Sequence, residues 1–440
     1  MKNREAAESF ILEVGKKMGS AEPDVASAFY ILALKKMIDE NACTDPEDMA
    51  KIVDITKIMF RPSSMQDIDQ LNAYSYVVEK AYGLQRGILD EVLHPAGYQA
   101  KSWERYIIDL ISTAMAMELD AEDYYPLAAS ILRNVSEKTG RLTSMNVSSE
   151  AISRLLSIGA DIHDGDVVLD GTVGYGYSAM KAINGKKVSF YGMDISARAA
   201  QVAALYGILC GQNDCHIAIG DFTTNDMKVE ADKVVMDIPL GIRSGEQFGS
   251  QLEKVKRWMD TDSCREGEAI LIASAIDSLK KGGRLVAIVS SGFLFKQTKA
   301  LVNFRRNLVK EGLLKAVISL PPVHDNANVA SYMLIFEQGC KDVLFVDAEG
   351  FIQRERRGSA VVTEEGAEAL KRILENKECI TKVSFIVTNE VVMETGDWSI
   401  NQYIDTTEEI HYRSVKDINE DLAKCMNRLN GLNSVKYKLF

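Results

Sequence analysis

The sequence is poor in the residues that staple or metallate a fold. Seven cysteines, an odd number with no Cys-x-x-Cys pair, and only five histidines are spread over 440 residues. That scarcity argues against a disulfide frame and a zinc site, and for a reducing compartment, the cytoplasm. Long apolar runs are missing too. The opening Met1-Lys2-Asn3-Arg4-Glu5 leads into an amphipathic stretch carrying Glu8 and Glu13 rather than a signal core, and no uninterrupted apolar segment is long enough to span a bilayer. The third absence is a basic surplus, because the formal net charge is −12. A chain that gripped a polyphosphate backbone alone would carry the opposite sign, so any nucleic-acid contact has to be local or shared with a partner.

What is present is a large soluble chain, 46% hydrophobic, with enough apolar residues for two or three domains. Residues 1–145 carry helical periodicity, as in Ala28-Phe29-Tyr30-Ile31-Leu32-Ala33-Leu34, and few strand-like alternations. From about residue 146 to 350 apolar strands alternate with helices, which implies a mainly parallel sheet covered on both faces. The first strand, Val167-Val168-Leu169-Asp170, runs into Gly171-Thr172-Val173-Gly174-Tyr175-Gly176. Three glycines in six residues let the backbone turn sharply and approach a ligand closely; a purely structural strand-to-helix turn would use the same residues. A second strand ends at Asp194, 24 residues after Asp170. An acid there can accept two hydrogen bonds from vicinal ribose hydroxyls, or it can cap the helix that follows. Two further strands end at Asp221-Phe222 and Asp237. Asp221 and Phe222 fit an adenine amino group and its ring, or equally a turn beside a core phenylalanine. Leu314–Leu320 and Ser331–Phe336 are joined by only ten residues, too few for a helical crossover, so they form an antiparallel pair.

An adenosyl-type site on a parallel sheet closed by an antiparallel strand resembles the S-adenosylmethionine-dependent methyltransferase fold, a Rossmann-like α/β sheet. Within it the chain resembles the adenine-specific DNA methyltransferases that form the modification subunits of type I restriction-modification systems. The resemblance rests on Asp170–Gly176 as the cofactor loop and Asp237-Ile238-Pro239-Leu240 at the catalytic tetrapeptide. Gly282-Gly283-Arg284, Gly292–Phe295, Arg305–Leu308, Ile318–Pro321 and Trp398–Tyr403 extend it over most of the chain. It implies S-adenosyl-L-methionine held by Asp170, Gly171, Thr172, Gly174, Gly176, Asp194, Ile195, Asp221 and Phe222. It implies methylation of the adenine exocyclic amine in DNA at Asp237, Ile238, Pro239 and Leu240, with no metal. The partners it implies are DNA gripped through a specificity subunit and a restriction subunit, in a hetero-oligomer.

The departures are specific. The family's tetrapeptide is usually Asn-Pro-Pro followed by Phe or Tyr, whose ring stacks on the flipped base. Here Ile238 replaces the first proline and Leu240 the aromatic, so a catalytically impaired cofactor-binding or assembly subunit is the alternative. Phe222, Phe293 or Phe295 can supply the missing ring only where the fold brings one close. Leu142-Thr143-Ser144-Met145 stands where the family has an aromatic-Thr-Pro segment, and Asp170-Gly171 where it has Asp-Pro. A nicotinamide dehydrogenase is disfavoured by the closing antiparallel pair and by the lack of a hydride-handling His or Tyr. Residues 351–440 read as an extension with helices at 363–376 and 415–430. The second carries Ile418, Leu422, Met426 and Leu429 on one stripe, to meet a specificity subunit or its own domain. Arg354, Arg356 and Arg357 form a short basic turn, either phosphate-facing or simply solvated.

Overall fold

The structure, a computed structural model, describes residues 4–15, 24–43, 45–94, 100–139, 147–224, 227–242, 252–259, 266–324, 329–354, 359–404 and 419–427. The described part of the first region is helical, centred on Val25–Asp39, which is buried from Val25 through Met37. A helix that is apolar on all sides has to be surrounded, and this one is capped by Asp24 and wrapped by its neighbours. Asp24 also pairs with Arg198, at the start of the helix Ala197–Leu209. Arg198 donates to the Val92 carbonyl at 2.9 Å, and Gln201 to that of Asp90 at 2.7 Å. Phe29 and Tyr177 both stack on Tyr206, at 6.0 and 6.3 Å. The helical region thus grips the helix that follows the second acidic strand end.

The strands are β1 Val167–Asp170, β2 Ser189–Asp194, β3 Cys215–Ile219, β4 Ala231–Asp237, β5 Leu279–Ser290, β6 Leu314–Leu320, β7 Ser331–Glu337, β8 Asp342–Asp347, β9 Ile352–Arg354, β10 Ala360–Val362 and β11 Ser384–Thr388. Nine of them form one sheet in the order β11-β8-β6-β7-β5-β4-β1-β2-β3, while β9 and β10 pair separately. Strands β1 to β5 are mutually parallel, and β7 runs antiparallel to both β5 and β6. Along β5, Val286 and Ile288 join the core under the helical region, whereas Leu285, Ala287 and Val289 join the core on the other face. Both faces are therefore dry, which explains the near-continuous apolar strands. Two strands beyond β6 were not expected. β8 pairs parallel to β6, and β11, from the C-terminal extension, pairs antiparallel to β8.

A buried cation fastens the second face. Arg305, on the helix Lys299–Lys310, is 0% exposed and donates to the carbonyls of Gly396, Phe293 and Lys296 at 2.6, 2.7 and 2.8 Å. Burial pulls its guanidinium down to about 10, still protonated at neutral pH. Phe293 meets Phe304 and Trp398, each at 6.1 Å. Three of the sequence segments singled out above therefore converge on one clamp. Residues 405–440 form a second unit, in which 419–427 are a helix with Leu422 and Met426 exposed; Ile418 and Leu429 lie outside the described residues. The helix expected at 363–376 spans Glu364–Asn376, capped by Thr363. Among the described residues no helix is long and apolar enough to cross a membrane.

Candidate active site

The chain leaves β1 outward through β2 and β3, then returns to lay β4 on the other side of β1. That reversal opens a crevice at the carboxyl ends of the strands, where ligands of open α/β sheets sit. A cleft of about 610 Å³ lies there. Gly171, Thr172, Gly174, Asp194, Ile195, Asp221 and Phe222 line it from one side, and Asp237, Ile238, Pro239 and Leu240 from the other. Asp170 and Gly176 stand behind it. Asp170, 1% exposed, folds its carboxylate onto the Thr172 N–H at 2.9 Å, while Gly176 holds φ +79° at the start of the helix Tyr177–Ile183.

Asp194 binds the glycine loop directly. Its carboxylate accepts from the Gly174 N–H at 2.9 Å and from the Ser196 N–H at 2.8 Å. The following helix is capped by Ser196, which accepts from Ala199 at 3.3 Å, so Asp194 is not the helix cap. Two of its lone pairs remain for a ligand. Asp221 accepts from the backbone and hydroxyl of Thr223 at 2.9 and 2.6 Å. Phe222 is buried against Gly171: a Cβ at 171 would lie 2.2 Å from the Phe222 ring. Ile195, by contrast, is 79% exposed at the cleft mouth.

Asp237 ends β4 half-buried, and the Ser148 hydroxyl donates to its Oδ2 at 2.7 Å. Burial pushes its carboxyl above the ordinary value, while the His324 charge and the Ser148 hydrogen bond pull the other way. Burial likewise raises Asp170 to about 8, reinforced by the neighbouring charges of Asp237 and Asp194. Ile238 is buried and donates its N–H to the Ile288 carbonyl at 3.3 Å, prolonging the β4–β5 ladder. Ser148 and His324 line the cleft without having been singled out in the sequence. His324 sits in the β6–β7 link, a carboxyl-edge position like that of the acids, and meets Ser331 Oγ at 3.0 Å. Of the candidate rings, Phe222 reaches the cleft, Phe293 is in the clamp, and Phe295 is half exposed and outside the lining. Leu142–Met145, Arg356 and Arg357 lie outside the described residues; Arg354 donates to the Pro322 carbonyl at 3.3 Å.

The strand order β3-β2-β1-β4-β5-β7-β6 with β7 reversed, and a glycine loop tied to an acid on β2, define the α/β sheet of an S-adenosylmethionine-dependent methyltransferase. Residues 131–411 match the model of the N-6 DNA methylase family, and the chain belongs to that family. Its fold is similar to that of the type I restriction-modification methyltransferase subunit from Streptococcus thermophilus. That likeness has 15% identity and a TM-score of 0.72, over 91% of this chain and 98% of that one. A modification subunit of a putative type I restriction enzyme from Vibrio vulnificus YJ016 is 14% identical, with a TM-score of 0.63 over 91% and 94% of the two chains. A putative class I S-adenosylmethionine-dependent methyltransferase from Listeria monocytogenes is also similar, at 14% identity and a TM-score of 0.50, over 80% and 98%. No curated protein matches the chain by sequence.

Proposed function

We propose that the chain transfers a methyl group from S-adenosylmethionine to the exocyclic amine of adenine in DNA, as a cytoplasmic type I modification subunit. In this reading a specificity subunit grips the DNA, offsetting the net charge of −12, and a restriction subunit completes the hetero-oligomer. Residues 1–145 are its helical domain, 146–350 the methyltransferase domain, and 351–440 an extension that lends β11 to the sheet. The observation that carries the reading is one cleft gathering the glycine loop, Asp194 and Asp237.

The donor set suits the cofactor: the Asp194 carboxylate for ribose hydroxyls, Ile195 and Phe222 for the flat adenine, and Asp221 for its amino group. When bound, the cofactor supplies a methyl group activated on positively charged sulfur. Asp237 does the rest of the chemistry. An adenine amine is a poor nucleophile because its lone pair is delocalised into the ring. By accepting a hydrogen bond from it, Asp237 draws the nitrogen toward tetrahedral geometry, and the proton shed after transfer leaves to solvent. Asp194→Ala is expected to weaken S-adenosylmethionine binding at least tenfold, about 1.4 kcal/mol, by calorimetric titration; unchanged affinity would remove Asp194 from the site.

The impaired, cofactor-binding reading is favoured by one observation, the aliphatic Leu240 where a stacking ring is usual. Stacking on an aromatic contributes about 1–3 kcal/mol, comparable to the cost of extracting the base. Leu240→Tyr is therefore expected to raise methyl transfer to adenine-containing DNA in the presence of the specificity subunit. Adding Ile238→Pro would delete the N–H given to Ile288, so the single variant is the cleaner test. No gain from Leu240→Tyr would locate the defect elsewhere.

A further inference from the structure

The cleft holds an unusual charge balance. Asp194, Asp221 and Asp237 line it and Asp170 lies behind, whereas His324 is the sole basic side chain among the described residues that line it. Asp237 accepts from the Ser148 hydroxyl at 2.7 Å and shares the cleft with His324. A carboxyl group serves an amine only as an acceptor, and it is a pure acceptor only when ionised. Burial works against ionisation. An asparagine, the family's usual residue here, would not face that problem.

We propose that Ser148 and His324 are positioning residues for Asp237: the Ser148 hydroxyl pins one carboxylate oxygen so that the other faces the amine, and His324 supplies the counter-charge that keeps the carboxylate an acceptor. The inference rests on the methyl-transfer reading above. Both residues are firmly placed. Ser148 precedes Ser149, which accepts from the Ile152 N–H at 3.2 Å and so caps the helix Glu150–Ala160. The helix start thereby fixes the backbone that carries the hydroxyl. His324 is held by Ser331, whose strand pairs with both Ser290 of β5 and Leu320 of β6. Oxygen, hydroxyl and imidazole thus come from three separate elements that line one cleft, the arrangement expected of a supported acceptor.

The test is a carbon-13 titration of the full chain labelled at the aspartate carboxyl, with the Asp237 signal assigned by its loss in Asp237→Asn. Asp237 is expected to titrate above the ordinary carboxylate range, and His324→Asn and Ser148→Ala each to raise the midpoint further, by about half a unit or more. An unmoved midpoint in both variants overturns the proposal. The functional arm uses tritiated S-adenosylmethionine and unmethylated plasmid DNA with the specificity subunit present. His324→Asn should lower kcat with an unchanged KM for S-adenosylmethionine and move the acid limb to higher pH. Ser148→Thr should restore what Ser148→Ala loses. In the Asp237→Asn background His324→Asn should cost nothing more; an equal loss there would show a structural role and overturn the proposal. A wild-type chain without transfer would sink the methyl-transfer reading, and the titration would then decide this one separately.

Discussion

Replacing Asp237 by alanine is expected to lower methyl transfer by about 10²- to 10⁴-fold while S-adenosylmethionine affinity changes little. The range is that of a positioned hydrogen-bond acceptor that stabilises developing charge, roughly 3–5 kcal/mol of barrier. The split follows from the sheet: Asp237 ends β4, whereas Asp194 and the glycine loop belong to β2 and the turn after β1. Asp237→Asn keeps an acceptor oxygen in the same place and should lose far less. The pH dependence supplies the sign. Burial raises the Asp237 pKa, so the accepting form prevails above that value and is lost as pH falls through it. The wild type should therefore fail in mild acid, on a limb above the usual carboxylate range, and Asp237→Asn should lack that limb. Tritium incorporation at a series of pH values measures both. An Asp237→Ala enzyme that works at the wild-type rate would remove Asp237 from the chemistry.

Arg305→Met is the change expected to cost most stability. It leaves the Gly396, Phe293 and Lys296 carbonyls without their donor in the second core. A buried carbonyl left unpaired costs roughly 1–2 kcal/mol, so the three together amount to about 3–6 kcal/mol. Set against a typical total of about 5–15 kcal/mol, that is a large share. Methionine keeps much of the side-chain volume, which separates the lost hydrogen bonds from a cavity. Arg305→Lys retains the charge but not the three-way fork and should fall between. Denaturant midpoints of the three proteins give the comparison; a Met variant within 1 kcal/mol of wild type would show that other contacts hold the clamp.

What could be read from the sequence was local. Each strand that feeds the cleft announces itself as an apolar run stopped by an acid, and the ten-residue link fixes the antiparallel pairing of β6 with β7. What could not be read lies far apart along the chain. Ser148 reaches Asp237 across 89 residues and Arg305 reaches Gly396 across 91, and nothing near either position marks the partner. His324 sits in a link whose length was informative while its contents were not. β8 offers a short apolar run five residues after β7, and β11 only five residues with two facing the core, so neither stood out from its surroundings.

Gly171 and Phe222 also look like two unrelated details in the sequence: a missing proline in the cofactor loop, and an aromatic after the third strand. The ring occupies the space that any side chain at 171 would need. The two positions therefore constitute one unit of inheritance. A descendant that regains the family's proline at 171 has to shed bulk at 222 in the same step or soon after, and either change alone passes through a poorly packed intermediate. Across relatives the two sites should covary in volume, small with large, as partners in a single exchange.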